Sequence, residues 1–126
     1  MNRVFINSAH IIEIHVVGDQ TGDSVTAMCL DASDLIATLR DQNRQVFIID
    51  NLKAMGETTS DARKAVANYA KKLPFDRAAM VGDGTAIMRF STNLMLRAIG
   101  RSNIRYFSSV DGAMIWFGLD PAEVRV

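Results

Sequence analysis

Gln45-Val46-Phe47-Ile48-Ile49-Asp50 decides the fold. Its apolar residues run without a break and end on an acid. A strand with one wet face alternates apolar and polar residues, whereas a strand covered on both faces reads as a continuous apolar run. This segment is therefore predicted to be a buried central strand, and the rest of the chain is read outward from it.

Upstream, Asp41-Gln42-Asn43-Arg44 breaks a helix predicted near Ser24–Arg40, where Val25, Met28, Ala32, Leu35, Ile36 and Leu39 fall on one stripe. Gly18-Asp19-Gln20-Thr21-Gly22-Asp23 before it is a turn-rich break. Two β-type segments open the chain, Arg3–Asn7 and Ile11–Val17; the short link Ser8-Ala9-His10 predicts an antiparallel pair.

Downstream, Asn51–Glu57 reads as a loop. Thr58, Thr59 or Ser60 can cap a helix reaching about Lys72, with Ala62, Val66, Tyr69 and Leu73 inward and Pro74 ending it. Arg77–Val81 is the next strand, followed by Gly82-Asp83-Gly84. A further helix is predicted over roughly Thr85–Ile99, stopped by Gly100. Ile104–Phe107 is a last strand. Ser108 or Ser109 can cap a final helix to about Phe117, with Val110, Ala113, Met114 and Phe117 on its inner side. The order β-β-α-β-α-β-α-β-α implies a largely parallel sheet covered by helices, in a single domain over residues 1–126.

Lys and Arg total 14, and Asp and Glu total 14. The formal charge is zero, which gives no support to binding of nucleic acid or an anionic membrane and does nothing to keep copies of the chain apart. The longest apolar runs fall far short of a membrane span. Cys29 is the only cysteine. It rules out an intramolecular disulfide and Cys-rich zinc sites, and it fits a reducing cytoplasm.

The candidate chemistry gathers at the carboxyl ends of the central strands, where open α/β sheets bind ligands. Asp50 and Asn51 end one predicted strand, and Gly82, Asp83 and Gly84 end the next. Asp50 and Asp83 facing one crevice would suit a cation or acid–base work, but no metal-ligand partners accompany them, and acids here ordinarily cap helices. Gly82-Asp83-Gly84-Thr85 lacks a third glycine and the phosphate-loop lysine. His10 and His15, five apart on an extended segment, point to opposite faces and make poor partners for one metal. Cys29 lies beside its helix's inner stripe and reads as a small buried hydrophobe. The basic side of the second helix (Arg63, Lys64, Lys71, Lys72) reads as a solvated face that can meet an acidic partner. On the Thr85–Ile99 helix, Met88, Met95 and Ile99 widen the apolar arc beyond what one sheet contact needs, so they are expected to border a subunit interface or an apolar pocket.

Three stretches carry a resemblance when read together. The first is Gly18-x-x-Thr21 with Asp23. The second is Phe47-Ile48-Ile49-Asp50 followed by a helix that starts on Thr or Ser. The third is Arg77-x-Ala79-x-Val81-Gly82-Asp83, with Ile104-Arg105-Tyr106-Phe107 and Ala113-x-x-Trp116-Phe117 closing it. In order and spacing the chain resembles the SpoIIAA-like family, the STAS/Sec14-like single domains of bacteria. The resemblance implies a mixed, mostly parallel five-stranded sheet with one antiparallel edge strand and four helices. It implies no activity. Anti-sigma antagonists of the STAS kind carry a phosphorylatable Ser directly after the Asp that ends the central strand, then Gly; here Asp50-Asn51-Leu52-Lys53 offers no hydroxyl, which counts against partner switching at that position.

The reading is a non-catalytic, cytoplasmic interaction or regulatory domain without a cofactor or metal, associating as a homodimer or with another protein. The Sec14-like relation implies an alternative, a carrier of a small apolar, lipid-like ligand. A metal-dependent enzyme using Asp50 and Asp83 is a third.

Overall fold

A computed structural model describes residues 1–83 and 102–120. Five strands, β1 (Arg3–Ile6), β2 (Ile12–Gln20), β3 (Phe47–Thr58), β4 (Arg77–Val81) and β5 (Ile104–Phe107), form one sheet in the order β1-β2-β3-β4-β5. β1 pairs antiparallel with β2, and every other pairing is parallel. The described helices are α1 (Gly22–Asp41), α2 (Ser60–Lys72) and α3 (Val110–Trp116). The helix predicted over Thr85–Ile99 lies outside the described residues.

The apolar run sits where its composition requires. Ile48 and Ile49 are buried on opposite faces of β3. α1 and α2 cover one face, closing a core of Ile12, Ile14, Ile48, Leu52 and Met80 with the α1 stripe Val25, Met28, Cys29, Ala32, Ile36 and Leu39. α3 covers the other face over Ile49, Ala79 and Val81, using Ala113, Met114 and Phe117, and Phe117 stacks on Phe47 at 4.7 Å.

The links are held by side chains that replace missing ladder bonds. Asn7 accepts from the Ala9 and Ile11 amides across the β1–β2 turn, where His10 takes a positive φ of 60°. Thr21 caps α1 and Thr59 caps α2; Thr59 Oγ1 accepts from the Ala62 amide at 3.1 Å. Asp76 accepts from the Val46 amide at 2.7 Å and from Arg40 at 3.0 Å. Burial raises its pKa, but those two bonds outweigh burial and hold the carboxyl below the usual range.

Two predicted breaks are strand instead. β2 does not end at Val17, and β3 does not give way to a loop at Asn51. The two strands stay paired to Gln20 and Thr58, with register shifts between His15 and Val17 and between Gly18 and Gln20. Glycine makes this possible in two ways. Gly18 takes φ +74°, a bulge conformation, and Gly56 lies so close to Asp19 that a Cβ there would meet its Oδ1 at 2.2 Å. Asp19 Oδ1 then accepts from the Glu57 amide at 2.8 Å. Beneath the bulge Gln20 is buried and fully bonded. It donates to the Val17 and Gly18 carbonyls and to Asn2, and it accepts from Asn2 and Ser24.

Candidate functional site

Parity along β3 decides where its acid points. Side chains alternate across a strand, so Asp50 shares a face with Ile48 and Leu52 and looks toward α1 and α2. The register aligns Ile14, Asp50, Met80 and Tyr106 in one row across β2, β3, β4 and β5.

Above this row the packing leaves a cavity of about 70 Å³. Ile14, Ile48, Ala78 and Met80 line it from the sheet, Cys29 from α1, and Val66 and Ala70 from α2. Among the described residues of this lining, Asp50 alone brings an ionisable oxygen. Among the described residues its carboxyl makes no hydrogen bond or ion pair. Burial pushes its pKa up to about 7. Burial and then the nearby charge of Asp50 push the Cys29 thiol up to about 12, and both act in the same order on the Tyr106 phenol. The Tyr106 hydroxyl is buried and finds no hydrogen-bond partner among the described residues. An unpaired carboxyl and an unsatisfied phenol on one face of a core are costly, and such groups concentrate at functional sites.

Of the acids and glycines predicted to share a crevice, Asp50 faces the helix layer. Asn51 lies on the sheet face opposite Asp50, and its side chain accepts from the Lys53 amide at 3.1 Å. Gly82 is buried just past β4 and donates to the Phe107 carbonyl at 3.2 Å, and Asp83 is exposed beyond it. Gly84, Met88, Met95 and Ile99 lie outside the described residues. Ser109 caps α3. His10 sits exposed in its turn, while His15 meets Glu13 at 3.1 Å and tilts against Phe5. Among the described residues no group of three potential metal ligands gathers, and no helix is long and apolar enough to cross a membrane. Cys29 is the small buried thiol its helix position implied. Tyr106 was missed; the alternation Ile104-Arg105-Tyr106-Phe107 places its side chain with Ile104, and only the strand order puts it in the Asp50 row.

The outer surface of the helix layer is polar, with acids prevailing on α1 and lysines on the upper turns of α2. α1 exposes Asp23, Asp34 and Asp41 around Leu30, which is 54% exposed, with Arg40 in its last turn, and α2 exposes Lys64, Asn68 and Lys71 above Asp61 in its first turn.

Among solved structures, an uncharacterised DUF3478-family protein from Shewanella loihica PV-4, described as having a SpoIIAA-like fold, superposes with a TM-score of 0.61 at 14% identity, over 92% of this chain and 91% of that one. The chain has the SpoIIAA-like fold. The anti-sigma factor antagonist SpoIIAA in its unphosphorylated form gives a TM-score of 0.59 at 12% identity, over 94% and 97% of the two chains. No protein-family model and no curated protein matches the sequence. The SpoIIAA-like architecture thus agrees with the mostly parallel sheet and the antiparallel edge strand expected from the sequence.

Proposed function

We propose that the chain is a non-catalytic, STAS-like interaction domain that associates with a second copy of itself through the outer faces of α1 and α2. The observation that carries this is the matched height of opposite charges on the two helices. Both helices follow parallel strands, and their first turns touch: Gly22 lies against Asp61, and the Thr59 amide donates to the Gln20 carbonyl at 3.1 Å. They therefore run side by side from a common level. At about 1.5 Å per residue, Asp34 stands about 18 Å up α1 and Lys71 about 17 Å up α2. By the same count Asp23 stands about 2 Å up, level with the exposed Asp61 of α2, and Lys64 about 6 Å up.

A two-fold axis parallel to the helices lays α1 of one copy over α2 of the other. Asp34 then meets Lys71 of the second copy and exposed Leu30 falls opposite Ala67 and Asn68, while Asp23 lies opposite Asp61 with Lys64 one turn above. Each contact occurs twice, as a closed isologous interface requires. Exposed ion pairs contribute little and are screened by salt, so the association is weak and salt-sensitive.

Sedimentation velocity tests it. The native chain should associate with rising concentration at low salt and dissociate as salt is added. Lys71→Glu should leave a monomer, and adding Asp34→Lys should restore the dimer by exchanging the signs. A native chain that stays monomeric at high concentration and low salt, or a Lys71→Glu variant that dimerises as before, overturns the proposal.

The lipid-carrier reading gains no support from the cavity beneath α1 and α2. Its volume of about 70 Å³ is about half that of the engineered cavity known to admit one benzene, far too small for an acyl chain.

A further inference from the structure

We propose that the cavity beneath α1 and α2 is a binding site for a small aliphatic primary amine, whose ammonium group sits on the Asp50 carboxylate and whose carbons contact Ile14, Ile48, Ala78 and Met80. Three features of the molecule lead to this chemistry. The first is size. At about 70 Å³ the hole takes a body of a few carbon atoms and no more. The second is the lining, whose described residues are apolar apart from Asp50 and the Cys29 thiol. A buried water needs two to four polar partners, and this wall supplies too few to hold the hole full of water, whereas a short alkyl chain is satisfied by it.

The third is charge. Asp50 is partly exposed and unpaired among the described residues, and a carboxylate drawn out of water without a partner is costly. An ammonium ion neutralises it and leaves no net charge inside. An anion doubles the burden, and a neutral alcohol returns a single hydrogen bond without the charge. Nothing else facing Asp50 among the described residues competes for it. Cys29 from α1 and Tyr106 from β5 are both uncharged near neutral pH, and α2 presents only Val66 and Ala70.

Proton linkage follows from the same geometry. With the free carboxyl titrating at about 7, affinity for a cation should fall about tenfold for each pH unit below that value. The site lies inside the core and the proposed dimer surface lies outside it, so failure of either reading leaves the other standing.

The probe is propylamine, titrated into the full chain at constant ionic strength and followed by backbone amide NMR, with 1-propanol and propionate as isosteric controls. Saturable shifts are expected at Ile14, Ile48 and Ala78 with propylamine. Propanol should bind at least tenfold more weakly, and propionate should not bind. Asp50→Asn should lose at least tenfold in propylamine affinity, and Asp50→Leu, which fills the hole, should abolish binding; the same spectra report whether each variant is folded. Equal affinity for propylamine and propanol, affinity retained in either folded variant, or the lack of any saturable shift at the cavity residues overturns the proposal.

Discussion

Replacing Asp50 with Asn removes a titration without removing much volume, and it should make the protein less sensitive to alkali. The carboxyl titrates at 3.8 when exposed and at about 7 in the folded chain. An acid whose folded value is the higher one costs nothing while both states hold the proton. As pH rises past the exposed value the unfolded chain releases its proton and the folded chain does not, so stability falls by about 1.4 kcal/mol per pH unit. The fall ends once the folded carboxyl ionises. Between about pH 5 and about pH 8 this one group should cost the native protein about 3 kcal/mol. That is a large part of the total stability of a domain this size.

The amide introduced by Asp50→Asn does not titrate, so the variant lacks this loss. All other groups titrate alike in both proteins and cancel in the double difference. Urea unfolding followed by circular dichroism at the two pH values, in both proteins, measures it. The native chain should lose about 3 kcal/mol more than Asp50→Asn on going to the higher pH. A double difference below about 0.5 kcal/mol refutes the reasoning, because it would mean that the carboxyl is as well solvated in the core as in water.

Two further outcomes follow from the same core and its caps. Cys29, with its thiol pushed up to about 12, should not react with an aromatic disulfide reagent at mildly alkaline pH until the protein unfolds; labelling of the native chain at a free thiol's rate would show that α1 does not seal it. Thr59→Ala removes the oxygen that accepts the Ala62 amide and should cost about 1 kcal/mol, read as a lower urea midpoint, while Thr59→Ser should be close to neutral. An unchanged midpoint in the alanine variant would mean that water caps α2 equally well.

Most of the scaffold was legible in particular residues. The run Val46–Ile49 needed cover on both faces, and it received α1 and α2 on one side and α3 on the other. The stripe Val25, Met28, Ala32, Ile36 and Leu39 is buried because period 3.6 leaves those positions no other side to face. Thr59 and Ser109, among the caps the sequence offered, begin helices because their oxygens replace bonds that a first turn cannot make internally.

The bulged continuation of β2 and β3 was not legible. Gly18, Asp19 and Gly56 belong to the composition of a turn, and a turn and a bulge both ask for glycine at positive φ. Only the presence of the neighbouring strand, with Asp19 reaching Glu57 across it, distinguishes them.

The candidate site divides in the same way. The sequence by itself determined that Asp50 ends an apolar run and that alternation sets it on the face of Ile48. Only the tertiary structure decided that α2 leaves a hole above it, that Tyr106 joins its row from two strands away, and that Asp83 lies exposed beyond β4. A strand's parity is fixed by local geometry. The volume left between a sheet and a helix is set by side chains distant in sequence, such as Met28, Val66, Ala70 and Ile104, whose sizes sum to a cavity only when the fold brings them together.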